Sequence, residues 1–154
     1  MLVAMRAFAL LITVSVSQYI HAATPEDQVK AVLTQYKTAL ESRDLTGVEA
    51  LFAEPNEVIE NGKIEGTYAD YRDHHIGPEL AHIESFAFSD YAVKVRFEGP
   101  VALSTETYRY TIHLKDTAEP IIRQGVATSV LTRAGERWKI VSHHSSSRAP
   151  KPPK

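Results

Sequence analysis

The second half of the chain alternates. Residues 83–99 ("IESFAFSDYAVKVRFEG"), 100–116 ("PVALSTETYRYTIHLKD"), 120–136 ("PIIRQGVATSVLTRAGE") and 137–148 ("RWKIVSHHSSSR") each repeat with period two. That is the period of a strand whose side chains point to opposite faces. Four such segments in succession, with only turns between them, predict long antiparallel strands. The first changes phase partway. Phe86 and Phe88 keep one register, and Tyr91, Val93, Val95 and Phe97 keep the other. A bulge or bend is therefore expected at Ser89-Asp90. Ala134-Gly135-Glu136 has the length of a hairpin turn between the last two strands.

The first half reads as helix. Thr24 is placed as an N-cap, Pro25 occupies the first helical position, and Glu26 and Asp27 suit the positive end of the dipole. Val29, Val32, Leu33, Tyr36 and Leu40 then fall on one face. "RDLTGVEALFA" predicts a second, shorter helix capped by Asp44, with Val48, Leu51 and Phe52 inward and Pro55-Asn56 as its end. Val58, Ile59 and Ile64 flank an Asn61-Gly62 hairpin turn. "TYADYRDHHIGPELAHI" predicts a third helix that Gly77-Pro78 kinks or interrupts. Helices first and long antiparallel strands last predict an α+β fold, its bent sheet curling around the helices to enclose a pocket.

Bulk properties narrow the function. With 154 residues, 44% apolar and 23% charged, one domain is expected. A formal charge of −2 with no basic face argues against nucleic-acid binding. The absence of cysteine excludes disulfides, thiol catalysis and a Cys-based zinc site. Arg6, an apolar run from Ala7 to Val16 and small residues ending at Ala22 or Ala23 form the pattern of a secretory signal peptide. The run falls short of the roughly 20 residues that span a bilayer. Residues 1–22 are thus expected to be a cleaved signal, leaving a periplasmic or secreted protein with no membrane contact. Residues 23–148 would form the domain, and 149–154 a disordered proline-rich tail.

Three segments carry a family likeness. "VLTQYKTALESRDLTGVEALFAEPNEVIENGKIEG", "GPVALSTETYRY" and "GVATSVLTRAGERWKIVSHHSSSR" resemble the nuclear transport factor 2-like superfamily in its SnoaL-like branch, over nearly the whole mature chain. The last segment also resembles the association domain of calcium/calmodulin-dependent kinases, with Ser129 standing where that domain carries a pocket arginine. The resemblance implies a cone-shaped sheet around helices, an internal cavity and a homodimer formed through the sheet. It does not imply a single activity.

Site residues follow from strand faces. Trp138 and Ile140 mark the apolar side of the last segment, so strict alternation puts Ser142, His144, Ser146 and Arg148 inside with them and His143 outside. Tyr108, Tyr110 and Ile112 set the inner face of 100–116, which aims Glu106 inward, where a carboxylate is costly to leave unpaired. His144 and Glu106 form a candidate proton-transfer pair. Tyr71, His74, His75, Tyr108, Tyr110, Ser146 and Arg148 are candidate ligand contacts. His75, Glu79 and His82 have helical spacing, and a metal site would draw on His74, His75 and His144. No cofactor is called for. The reading placed first is an exported domain that binds a small molecule; the others are an acid–base enzyme, a metal-binding accessory protein and an assembly domain.

Overall fold

The computed structural model describes residues 22–151. The expected signal segment, apart from Ala22, lies outside them. Helix α1 (Pro25–Ser42) begins as its sequence predicts. The Thr24 hydroxyl accepts from the Asp27 N–H at 3.1 Å, and the Asp27 carboxylate accepts from the Thr24 N–H at 3.2 Å. This reciprocal cap satisfies two donors the helix cannot satisfy itself. Arg43, at φ 57°, ends it. Val29, Leu33 and Tyr36 form its buried face.

The expected second helix is only a four-residue 3₁₀ turn, Val48–Leu51. Asp44 caps the preceding turn by accepting from the Thr46 N–H. Phe52 does not end a helix but opens strand β1 (Phe52–Glu60), and Pro55 lies within that strand. Its pairing with the last strand is irregular from Phe52 to Glu57, which is where a residue without an N–H is tolerated. The Asn61-Gly62 turn leads into β2 (Lys63–Gly66).

The third helix survives its Gly-Pro pair by widening. Helix α2 (Tyr68–Tyr71) runs into one π turn (Arg72–Ile76) and on into α3 (Gly77–His82). The Gly77 N–H reaches back to the Arg72 carbonyl. A Cβ on Gly77 would lie 2.4 Å from that oxygen, so the widened turn requires glycine. Pro78, which has no N–H to give, follows in the first turn of α3.

Four long strands complete the chain: β3 (Ile83–Glu98), β4 (Val101–Leu114), β5 (Ile121–Ala134) and β6 (Arg137–Arg148). The sheet order is β2-β1-β6-β5-β4-β3, with β1 and β6 parallel and the other neighbours antiparallel. The fold is the expected α+β, a curved, unclosed sheet wrapped around α1 and the helical run 68–82. The predicted slip in β3 is present: pairing breaks between Ser89 and Ala92, and Asp90 takes φ 51°.

A second irregularity was not expected. Val130 pairs with Ser142, yet Leu131 pairs with Ile140. Val141 is therefore an extra residue in β6, and every side chain after it changes face. Trp138 and Ile140 are buried as expected, but the inward set then continues as His143, Ser145 and Ser147.

A candidate ligand-binding cavity

The concave face of the sheet and the helices enclose a cavity of about 110 Å³. Its floor comes from the registers. Glu106 on β4 stands opposite Ala127 on β5, Ala127 opposite Ser145 on β6, and Ser145 beside Glu60 on β1. The next layer runs Ser104, Ser129, His143 and Val58. On β5 the inward residues Gly125, Ala127 and Ser129 are all small, which leaves room above them. Part of that room at Gly125 is taken by Tyr108, whose ring atom Cε2 would lie 2.1 Å from an added Cβ.

Aromatic rings form much of the wall. Phe86 and Phe88 stack with centroids 4.9 Å apart, and Tyr108 meets Phe88 edge-on at 5.1 Å. Tyr91 is brought to the same wall by the slip in β3, and Tyr36, Tyr71 and Tyr110 complete it. The Tyr110 hydroxyl shares a 2.9 Å hydrogen bond with Ser147. Lys37, on α1, holds its Nζ 5.4 Å from the Tyr91 centroid and 5.7 Å from that of Phe88. The same ammonium is paired with Glu41, whose other oxygen accepts from the Phe88 N–H.

Glu106 is the main polar feature of the interior. It is 5% exposed. Its Oε2 accepts from the Tyr91 hydroxyl at 2.5 Å, and its Oε1 has no partner among the described residues. Burial raises its pKa, and the Tyr91 hydrogen bond, which favours the ionised form, opposes this only in part. His143 is buried too. Ser129 shares a hydrogen bond with its Nδ1 at 2.9 Å, and Tyr36 packs edge-on against the ring at 5.2 Å. Burial, and secondarily the neighbouring His144, lowers its pKa to about 4, so the ring is neutral at pH 7.

A second polar group borders the cavity at Glu60 and Glu79. The His75 Nδ1 lies 2.9 Å from Glu65, and its Nε2 lies 3.1 Å from Glu79 and 3.8 Å from Glu60. Tyr71 donates to Glu60 at 2.6 Å. The π turn sets these positions, because it carries Tyr71, His75 and Glu79 round to β1 and β2. Burial lowers the pKa of His75, but hydrogen bonding to Glu65 and the charges of Glu79 and Glu60 outweigh it, so the net shift is upward.

Several expected site residues sit elsewhere. Tyr71, Glu106, Tyr108 and Tyr110 line the cavity, and His75 flanks it through Glu60 and Glu79. His144, Ser146 and Arg148 are exposed on the convex face, because Val141 inverts the alternation that placed them inside. His143 takes the place assigned to His144, so a proton-transfer pair of His144 with Glu106 is excluded by geometry. His74 is exposed on the helical run and does not meet His144. Among the described residues no group of three or more His, Asp or Glu is arranged to hold a metal ion. His143, Glu60, Tyr91 and Lys37 were missed as site residues, and Glu79 was singled out only for its helical spacing with His75 and His82. The available signal for His143 was the apolar pair Ile140-Val141, two neighbours that cannot both face inward on a regular strand.

A model of the SnoaL-like domain family matches residues 29–150. The chain belongs to the SnoaL-like domain family. No curated protein matches its sequence. Solved structures share the nuclear transport factor 2-like fold. A protein from Streptomyces avermitilis described as a dehydratase of that family aligns over 81% of this chain and 97% of its own, at 21% identity and TM-score 0.69. A protein from Shewanella frigidimarina described as a ketosteroid isomerase aligns over 75% and 92%, at 24% identity and TM-score 0.63. One from Exiguobacterium sibiricum described as a calcium/calmodulin-dependent kinase II association domain aligns over 86% and 99%, at 17% identity and TM-score 0.68. At these identities the likeness is one of fold. Within the SnoaL-like family the chemistry of this member rests on its own cavity residues.

Proposed function

We propose that this SnoaL-like domain binds a small, ring-bearing organic molecule in its cavity, with Glu106 as the polar anchor. The observation that carries this is the unpartnered, buried Oε1 of Glu106 in a pocket walled by aromatic rings. A buried carboxyl oxygen left without a hydrogen bond is costly, and a ligand that supplies one removes the cost. At about 110 Å³ the cavity is smaller than the roughly 150 Å³ one that holds benzene in an engineered protein, so it suits no more than a single ring. Burying about 150 Å² of ring surface favours binding by about 4 kcal/mol before association costs.

The test is ligand-observed NMR with benzyl alcohol on the wild type and on Ala127→Phe. Ala127 is 2% exposed and lines the floor, so phenylalanine there projects into the space a ligand would use. Binding to the wild type and none to the variant is expected. Equal binding to both contradicts the proposal.

Acid–base catalysis is the second reading, and the raised pKa of Glu106 favours it. Solvent deuterium exchange into a bound enolisable ring ketone such as cyclohexanone reads proton transfer directly. This reading expects Glu106→Gln to slow the exchange about 100-fold or more; equal exchange in the variant would leave binding as the function. We also propose export of the mature chain and a homodimer through the convex face, where Ile122 and Val126 are 46% and 44% exposed.

A further inference from the structure

The charges around the cavity are one-sided. Its lining contains Lys37, Glu60, Glu79 and Glu106. Lys37 is the only cation among them, and Glu41 already pairs with it. Beside the cavity His75 is shared by Glu60, Glu65 and Glu79, and Lys63 also holds Glu65 at 2.8 Å. Two positive charges against three carboxylates leave this cluster net negative even when His75 is protonated. Arg148, the residue expected to meet a carboxylated ligand, is on the opposite face of the sheet. An anionic ligand would face like charges at both ends of the cavity.

The walls favour the opposite charge. Aromatic faces attract cations, and Phe88 and Tyr91 already carry the Lys37 ammonium, whose charge Glu41 offsets. Tyr108 and Phe86 extend the same ring cluster inward. The Glu106 carboxyl, 5% exposed and with Oε1 unpartnered, lies on the floor beneath these rings. Only a donor can satisfy an ionised carboxylate oxygen, and an ammonium supplies both the donor and the countercharge.

Resting on the ligand-binding reading above, we propose that the natural ligand is a small aryl or alicyclic amine, bound as its ammonium ion. Its nitrogen hydrogen-bonds Glu106 Oε1, and its ring packs among Phe86, Phe88 and Tyr108. The proton count closes simply. Glu106 holds a proton more tightly than an ordinary carboxyl, so an ammonium that binds drives this proton to solvent, and a neutral amine that binds takes it up. In the first case one proton leaves for each ammonium bound to a protonated site, and affinity rises with pH until Glu106 is ionised in the free protein.

Three probes of one shape separate the charge classes: benzylamine, benzyl alcohol and benzoate, titrated calorimetrically into the full domain at pH 7. Benzylamine is expected to bind about tenfold or more tighter than benzyl alcohol, with no detectable benzoate binding. Repeating the benzylamine titration at stepped pH in buffers of different ionisation enthalpy should show proton release that fades as the free Glu106 carboxyl ionises. In Glu106→Gln, an isosteric change that also removes a buried charge, the amine should fall to the affinity of the alcohol. Benzyl alcohol binding as tightly as benzylamine, with Glu106→Gln neutral, overturns the amine assignment while the ligand-binding reading stands. Preferred binding of benzoate also overturns it. Failure of all three probes, including benzyl alcohol, overturns both.

Discussion

Glu106 and His143 are buried ionisable groups whose titrations act on stability in opposite directions. Glu106 has its folded pKa raised. The native state therefore holds its proton over a window in which the unfolded chain has lost it, and stability falls as pH rises through that window. Glu106→Gln removes the effect. It should raise stability at pH 7 by about 1–2 kcal/mol while weakening ligand binding, the usual conflict between a functional buried charge and a stable fold; denaturant unfolding of both proteins at pH 4.5 and pH 7 checks this. His143 behaves in reverse. Its folded pKa is near 4, below the unfolded value of about 6.5. Between these the unfolded state binds the extra proton, so stability is fully present above about pH 6.5 and is lost as pH falls toward 4. The loss reaches up to about 3 kcal/mol. His143→Gln should flatten this acid limb, whereas His144→Gln, on the exposed face, should leave it nearly unchanged. An acid limb that responds to His144 instead would restore the face assignment that strict alternation gives.

At the scale of elements, the two β irregularities and the π turn decide what the cavity contains. The slip in β3 was legible because apolar residues occupy both registers, before and after Ser89-Asp90, and the structure bends there. The extra residue in β6 was obscured because the residues that follow it are His, Ser and Arg, which carry no apolar signal of which face is inside. Deleting Val141 should remove the bulge and leave the faces after it unchanged, because strict alternation from Ile140 through Ser142 then puts His143 inside and His144 outside. The expected sign is a folded variant in which His143 keeps its depressed pKa in ¹H–¹⁵N spectra; a His143 that loses it would contradict the assignment of Val141 as the inserted residue. The π turn depends on Gly77, whose added Cβ would meet the Arg72 carbonyl at 2.4 Å. Gly77→Ala should cost about 1–3 kcal/mol and disturb Tyr71 and His75 together, read as a shift in the His75 titration.

Across the whole molecule, the class of fold was legible from the order of helical and strand periodicities, and the SnoaL-like family from three segments that cover most of the domain. The contents of the site were less so. Glu106 was found because it stands in an unbroken alternation with Tyr108 and Tyr110. Glu60 and Lys37 were not, because their places depend on how the sheet curls over α1 and the helical run, which no local pattern encodes. Residue by residue the sequence points to a pocket built on a histidine and an arginine; assembled, it is an aromatic cavity with Glu60, Glu79 and Glu106 in its lining. The most direct measurement is a ¹³C NMR titration of the Glu106 side-chain carboxyl, with and without a bound single-ring ligand. A carboxyl that titrates above the ordinary range of about 4.3 and shifts when the ligand is added is the predicted result. A carboxyl that titrates at the ordinary value and ignores the ligand would contradict the assignment of Glu106 as the anchor of the site.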